Sequence, residues 1–157
     1  VIYADLNNFK IYNDTYGFEN GDKVLKLTAE IIEEQVSRCS MYNGFVGHIG
    51  GDDFVCVLEN DIDKGRGLCK KIISKFNRKV LDFFNEKDKT NGYIESFDRK
   101  GNKDIFPLTS IALGCMYGNF SKFERVDDIG VCMSKIKKKA KKNRGSSYVI
   151  CDINSNK

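Results

Sequence analysis

Apolar positions change period several times along the chain, and each change marks an element. Val1-Ile2-Tyr3-Ala4 is a short apolar run ending at Asp5, which predicts a strand; the Asn-, Asp- and Gly-rich stretch from Asp14 to Asp22 predicts an irregular polar connection. From Asp22, the residues Val24, Leu25, Leu27, Ile31, Ile32 and Val36 recur at helical spacing, with Glu30, Glu33 and Glu34 on the wet side and Asp22 placed as the cap. Phe45 to Ile49 and Phe54 to Leu58 are two apolar runs bracketing Gly50-Gly51-Asp52-Asp53, the pattern of a β-hairpin with an acidic pair at its tip. Leu68, Ile72, Ile73, Phe76, Val80, Phe83 and Phe84 mark a long amphipathic helix to about Glu86, with Gly65 and Gly67 near its start and the three Phe rings in the core.

The stretch from Tyr93 to Phe106, with turn signals at Arg99-Lys100-Gly101-Asn102, reads as a polar hairpin or excursion. Pro107 is placed at the entrance of a strand spanning Leu108 to Tyr117. A third helix covers Val126 to Lys142, with Ile129, Cys132, Met133, Ile136 and Ala140 on one face, and a last strand covers Ser147 to Cys151. The order strand, helix, hairpin, helix, excursion, strand, helix, strand predicts an α+β domain. A mainly antiparallel central sheet flanked by helices fits a hairpin in mid-chain better than a doubly wound parallel sheet does.

The 157 residues, 41% hydrophobic, suit one domain with a single core. The net charge of +4 favours phosphate-bearing ligands without requiring DNA or RNA. Cys39, Cys56, Cys69, Cys115, Cys132 and Cys151 show neither C-x-x-C pairs nor short spacings, so they are expected to be reduced, mostly buried small hydrophobes. No apolar run approaches the roughly 20 residues of a membrane span. A cytoplasmic segment, excised from a larger multidomain protein because it opens directly on a strand, is the expectation.

If the first strand and the hairpin are neighbours, Asp5 and Asp52 converge at one sheet edge, where they suit hard cations. Two Mg²⁺ ions bridging a triphosphate would align an in-line displacement at phosphorus. Alternatively, Asp5 merely ends a strand and Asp52-Asp53 are turn residues. His48 either orients Asp52 or Asp53 or packs structurally. Lys135, Lys137, Lys138, Lys139, Lys141 and Lys142 lack interleaved aromatics for stacking on bases, which favours a solvated helix face over a nucleic-acid surface, Lys141 excepted.

Asp5-Leu6-Asn7-Asn8-Phe9-Lys10, Asn13-Asp14-Thr15-Tyr16-Gly17, Gly21-Asp22 and Gly50-Gly51-Asp52-Asp53-Phe54 resemble, in order and spacing, the motifs of the GGDEF family of diguanylate cyclases. The match is closest over residues 1–59 and continues more loosely to the last strand. The resemblance implies a palm-like nucleotidyl cyclase fold, with GTP as substrate and Mg²⁺ or Mn²⁺ as the metal. It implies metal ligation by Asp5, Asp52 and the Leu6 carbonyl, and contact of the backbone around Phe9 and Lys10 with the terminal phosphates. Asn13 and Asp22 would read the guanine edge. Gly50 and Gly51 would let backbone approach the ribose and α-phosphate. Asp53 would help orient or deprotonate the attacking 3′-hydroxyl. Lys141 would face the triphosphate. A transient homodimer would join two half-sites and make cyclic di-GMP, beside attached sensory or phosphodiesterase domains.

The chain departs from the family pattern at several positions. Asp53 replaces the usual Glu and is about an ångström shorter in reach. Phe18 stands where the family usually carries His, and His48 where an Arg commonly precedes the signature. Arg144 lies one place early for a phosphate ligand and serves as one only if the helix end shifts. Met41-Tyr42-Asn43-Gly44 fills the place of the inhibitory R-x-x-D. Two readings follow: a working cyclase, and a catalytically degenerate GTP-binding or dimerisation module that regulates an attached cyclic di-GMP phosphodiesterase. A third, the palm of another nucleotide polymerase or an oligonucleotide cyclase, shares only the Gly-Gly-Asp-Asp tip.

Overall fold

The computed structural model describes residues 1–39, 44–97 and 101–154. β1 (Ile2–Asn7) lies in the centre of a five-stranded sheet, between β3 (Asp53–Val57) and β6 (Ser110–Tyr117); β2 (Phe45–Gly50) and β7 (Ser147–Asp152) are its edges. The pairings are antiparallel except that of β6 with β7, which is parallel and is bridged by α5 (Val126–Ala140). The sheet is therefore mixed, with the antiparallel share dominant. α1 (Phe9–Tyr16), α2 (Phe18–Cys39), α3 (Ile62–Lys79) and the short α4 (Glu86–Asn91) complete the helices; β4 (Tyr93–Phe97) and β5 (Lys103–Pro107) form a separate two-stranded hairpin.

Alternation along the strands divides the sheet into two faces. Ile2, Ala4 and Leu6 of β1, Phe54 and Cys56 of β3, and Ile111, Leu113 and Cys115 of β6 join a large core with α1, α2 and α3. Val1, Tyr3 and Met116 join the smaller cluster under α5, with Met133 and Ile136. Asp5 and Asp53 are in phase with Tyr3 and Val55, so the same alternation turns them toward α5. At Gly114 of β6 the helix comes so close that an added Cβ would sit 3.0 Å from the Lys137 backbone nitrogen and 3.2 Å from its Cα. The missing side chain sets the distance of α5 from the sheet.

The polar connection expected from Asp14 to Asp22 is instead helical. Phe9, Tyr12, Gly21 and Val24 are buried, while Asp14 and Asp22 face water. α1 and α2 meet at Gly17, whose φ of 84° interrupts the helix and whose N–H donates to the Asn13 carbonyl. Asp22 consequently lies inside α2 and does not cap it. The Asn and Asp residues suggested a loop because they favour turns, but on a solvated helix face packing outweighs that preference. The long helix ends at Lys79 rather than about Glu86; a 3₁₀ turn, Val80–Phe83, follows, and Asn85 caps α4 by accepting from the Asp88 N–H at 2.8 Å. Phe76 and Phe84 are buried, and Phe83 is partly buried against the same core.

The excursion is a hairpin, as its turn signals indicate, though Arg99 and Lys100 of the tip lie outside the described residues. Pro107 ends β5, opposite Tyr93, rather than opening β6, and its carbonyl accepts from Asn8 Nδ2 at 3.0 Å. α5 and β7 agree with the periodicity to within two residues. All six cysteines are free thiols, with Cys56, Cys69 and Cys115 buried.

Candidate functional site

The site is assembled by strand register. Asp5 stands opposite Asp53 of β3 on one side and Ala112 of β6 on the other, so the two carboxylates share one face of adjacent strands. Asp52 lies in the turn before β3. That turn needs Gly50 at φ 134° and Gly51 at φ 58°, conformations L side chains rarely adopt, and a register shift between His48 and Gly50 bends β2. His48 Nε2 is 2.9 Å from the Gly51 carbonyl, and its ring stacks on Phe54 with centroids 4.7 Å apart. The structural alternative for His48 therefore holds: it closes the turn.

Asp5 is 5% exposed, and its charge is compensated by Lys137 of α5 and by Lys141, the residue that caps that helix. Lys137 Nζ lies 3.1 Å from Asp5 Oδ2 and 2.7 Å from Asp53 Oδ1; Lys141 Nζ donates to Asp5 Oδ1. Burial alone would lower the Lys137 pKa, but its hydrogen bonds to Asp53 and Asp5 hold it above the usual lysine value. Burial, followed by the charge of Asp5, raises the Asp52 carboxyl above its ordinary range. Three carboxylates thus face two ammonium groups, and Asp52 carries the uncompensated charge.

This donor set fits a divalent cation that arrives with a phosphate ligand. Magnesium commonly uses one or two carboxylates with substrate phosphates and water, and a cation beside Asp52 would relieve the crowding with Asp5. Among the described residues no three His, Cys, Asp or Glu side chains form a cage of their own. Leu6 lies just past the last β1–β3 pair, with its side chain buried.

A second group of predicted residues lies on α1 and α2. Asn8, in the left-handed region at φ 59°, turns the chain from β1 into α1, so Phe9, buried, and Lys10, exposed, form the helix start directly beyond the site strand. Asn13 Oδ1 is buried with no hydrogen-bond partner. It rests against Gly21, where a Cβ would lie 1.8 Å from it. Asp22 is exposed one residue further along α2, and Phe18 is 75% exposed at the start of that helix.

Asp5, Asp53 and Lys141 converge with Asp52 close by, whereas Arg144 is exposed in the segment between α5 and β7 and has no hydrogen bond to these carboxylates. Lys137 corrects the reading of the lysine run as solvated apart from Lys141. Its signal was present in the sequence: it continues the stripe Met133, Lys137, Ala140 at i, i+4, i+7, whose other two members are fully buried. Met41, Tyr42 and Asn43 lie outside the described residues.

Comparison with known proteins gives the family and the fold. The family model described as diguanylate cyclase, GGDEF domain, matches residues 1–95, and the chain belongs to the GGDEF family. It is 38% identical over 82 residues to the signaling protein YkoW of Bacillus subtilis, an alignment covering 50% of this chain and 10% of that protein. It is 39% identical over 77 residues to the diguanylate cyclase DgcS of Shewanella oneidensis, covering 49% and 25% respectively. The chain thus corresponds to a quarter or less of these relatives' length. Among solved structures, the active GGEEF domain of a Vibrio cholerae diguanylate cyclase superposes with a TM-score of 0.57 at 22% identity, covering 94% of this chain and 80% of that one. A GGDEF-only form of TpbB (YfiN) from Pseudomonas aeruginosa gives 0.61 at 20% identity, covering 98% and 76%. These similarities extend the fold through β6, α5 and β7, which the family model leaves out. No helix among the described residues is long and apolar enough to cross a membrane.

Proposed function

We propose that the domain binds GTP with a divalent cation, Mg²⁺ or Mn²⁺, and condenses two GTP to cyclic di-GMP. The observation carrying this reading is Asp5, buried at the sheet centre, compensated by Lys137 and Lys141 and crowded by Asp52. Asp5, Asp52 and the Leu6 carbonyl are assigned to the metal, whose chemistry is to neutralise phosphate charge and polarise the α-phosphorus. The helix start at Phe9 and Lys10 offers free backbone N–H groups to the terminal phosphates. Lys141, which pairs with Asp5, is assigned to the triphosphate, where its ammonium would face the phosphate oxygens. Gly50 and Gly51 leave open space above the turn for the ribose and α-phosphate.

The Asn13 amide, whose Oδ1 is buried beside Gly21 without a hydrogen-bond partner, is assigned to one guanine N–H donor, and the exposed Asp22 carboxylate to a second. One domain presents one nucleotide, so two copies must face each other. Each 3′-hydroxyl oxygen attacks the partner nucleotide's α-phosphorus, its proton passes to Asp53 or water, and the bond to pyrophosphate breaks. Two such steps close the ring.

One observation favours the second reading, a GTP-binding module that regulates an attached phosphodiesterase. Lys137 holds Asp53 at 2.7 Å, which ties up the carboxylate assigned to the 3′-hydroxyl. Incubation of the full-length protein with GTP and Mg²⁺ or Mn²⁺, followed by chromatography for cyclic di-GMP and pyrophosphate, separates the two. GTP binding without product at high protein concentration refutes the cyclase and leaves the regulatory module.

A further inference from the structure

Lys137 occupies a place that the assigned chemistry does not use. Its backbone is pinned where α5 crosses Gly114, and Ile136 and Ala140 beside it are buried, so its stem is directed over the sheet. Its side chain is 22% exposed, and the ammonium bridges Asp5 Oδ2 at 3.1 Å and Asp53 Oδ1 at 2.7 Å. An ammonium between two carboxylates makes the same bridge as a hard cation, but it is covalently attached and carries one charge instead of two. Lys141 covers the other oxygen of Asp5, leaving Asp52 as the carboxylate without an ammonium partner.

We propose that Lys137 is a positioning residue that acts as a tethered cation, filling the bridge between Asp5 and Asp53 so that the domain takes one divalent ion, at Asp52, instead of two. This deepens the GTP reading and rests on it for the nucleotide. With the bridge filled, Asp53 is held in a fixed position, and a second metal must displace an ammonium that two carboxylates retain.

The test counts Mn²⁺ by electron paramagnetic resonance of the free ion, with the purified full chain, alone and with a non-hydrolysable GTP analogue. With the analogue, the native protein should hold one Mn²⁺ per chain and Lys137→Met two, whereas Lys137→Arg should keep one. Without nucleotide, Lys137→Met should bind Mn²⁺ on the order of tenfold tighter or more, because a positive charge has left the cluster. Lys137→Gln should repeat the gain, so a folding failure of one variant leaves the other to decide. Lys137→Met with Asp53→Asn should return to one ion. Two ions on the native chain, or an unchanged count and affinity in both neutral variants, overturn the proposal. Analogue binding is measured in parallel: its absence alongside a gain in Mn²⁺ refutes the GTP reading alone, and its presence with an unchanged Mn²⁺ response refutes the tethered cation alone.

Discussion

Gly21→Ala offers a sharp test of the guanine assignment, because it moves the base-reading group without touching it chemically. The new methyl would lie 1.8 Å from Asn13 Oδ1, 2.9 Å from Asn13 Cγ and 3.3 Å from Phe9 Cζ. A relaxed contact needs about 3.4 Å or more, so the amide oxygen must retreat by roughly 1.6 Å, and rotation of the short side chain is the cheapest way. Alanine in a helix interior gains about 1 kcal/mol over glycine, which offsets much of the rearrangement, so the melting temperature should move by only a few degrees. Binding should suffer more. A guanine donor left without its acceptor costs about 1–3 kcal/mol, or about 5- to 150-fold in affinity. Calorimetric titration with a GTP analogue should show this loss in Gly21→Ala and Asn13→Ala alike, and the double variant should be no weaker than Asn13→Ala, since both act through one amide. Native affinity in Gly21→Ala, or losses that add in the double variant, would refute the assignment of Asn13 to the base.

Asp53→Glu restores the missing methylene and should raise cyclic di-GMP formation by about tenfold or more, measured by chromatography at matched dimer concentration; an unchanged rate would remove reach as the limiting factor. Asp52 has a carboxyl pKa raised above its unfolded value by burial and by Asp5, so its stabilising contribution is present in the protonated form and is lost as pH rises through the raised value. Melting in chelator across a pH series should therefore show Asp52→Asn gaining on the native protein toward neutral pH, and no such divergence would contradict the crowding. A thiol reagent should label exposed Cys151 first and leave Cys56, pushed up to about 12 by burial, unmodified until the domain unfolds. Peptide mapping after brief labelling reads the order.

Legibility in the sequence followed the length and periodicity of each segment. α3, α5 and the β2–β3 hairpin are long or sharply patterned, and their residues announced them. α1 did not, because its outward positions carry Asn, Asp and Thr, the same residues that build turns; only the inward Phe9 and Tyr12 betray it, and a single pair is a weak signal. The acidic turn was legible from the hairpin pattern, with Asp52 expected beside Asp5; the register instead sets Asp5, which lies inside β1, opposite Asp53 at the start of β3. The lysine face was half legible. Six lysines in one run look alike by composition; the stripe of Met133, Lys137 and Ala140 turns Lys137 inward, but its partners emerge only once β1 is seen to alternate Asp5 onto the α5 side. The parallel pairing of β6 with β7 was carried by the order strand, helix, strand, since one crossover helix returns the chain to an adjacent strand running in the same direction.

Placing β1 in the middle of the sheet has a consequence for how the domain is made. Its β6 partner lies far along the chain: Asn7 bonds Ser110 across 103 residues, and Asp5 meets Lys141 across 136. At ribosomal rates of about 5–20 residues per second, roughly 5–20 s pass between synthesis of β1 and of β6. For that interval one edge of a strongly apolar strand has no sheet partner, a condition that slows folding and invites pairing with other chains. The strand that carries the site is thus produced early and completed late, and chaperone dependence during synthesis should be concentrated there.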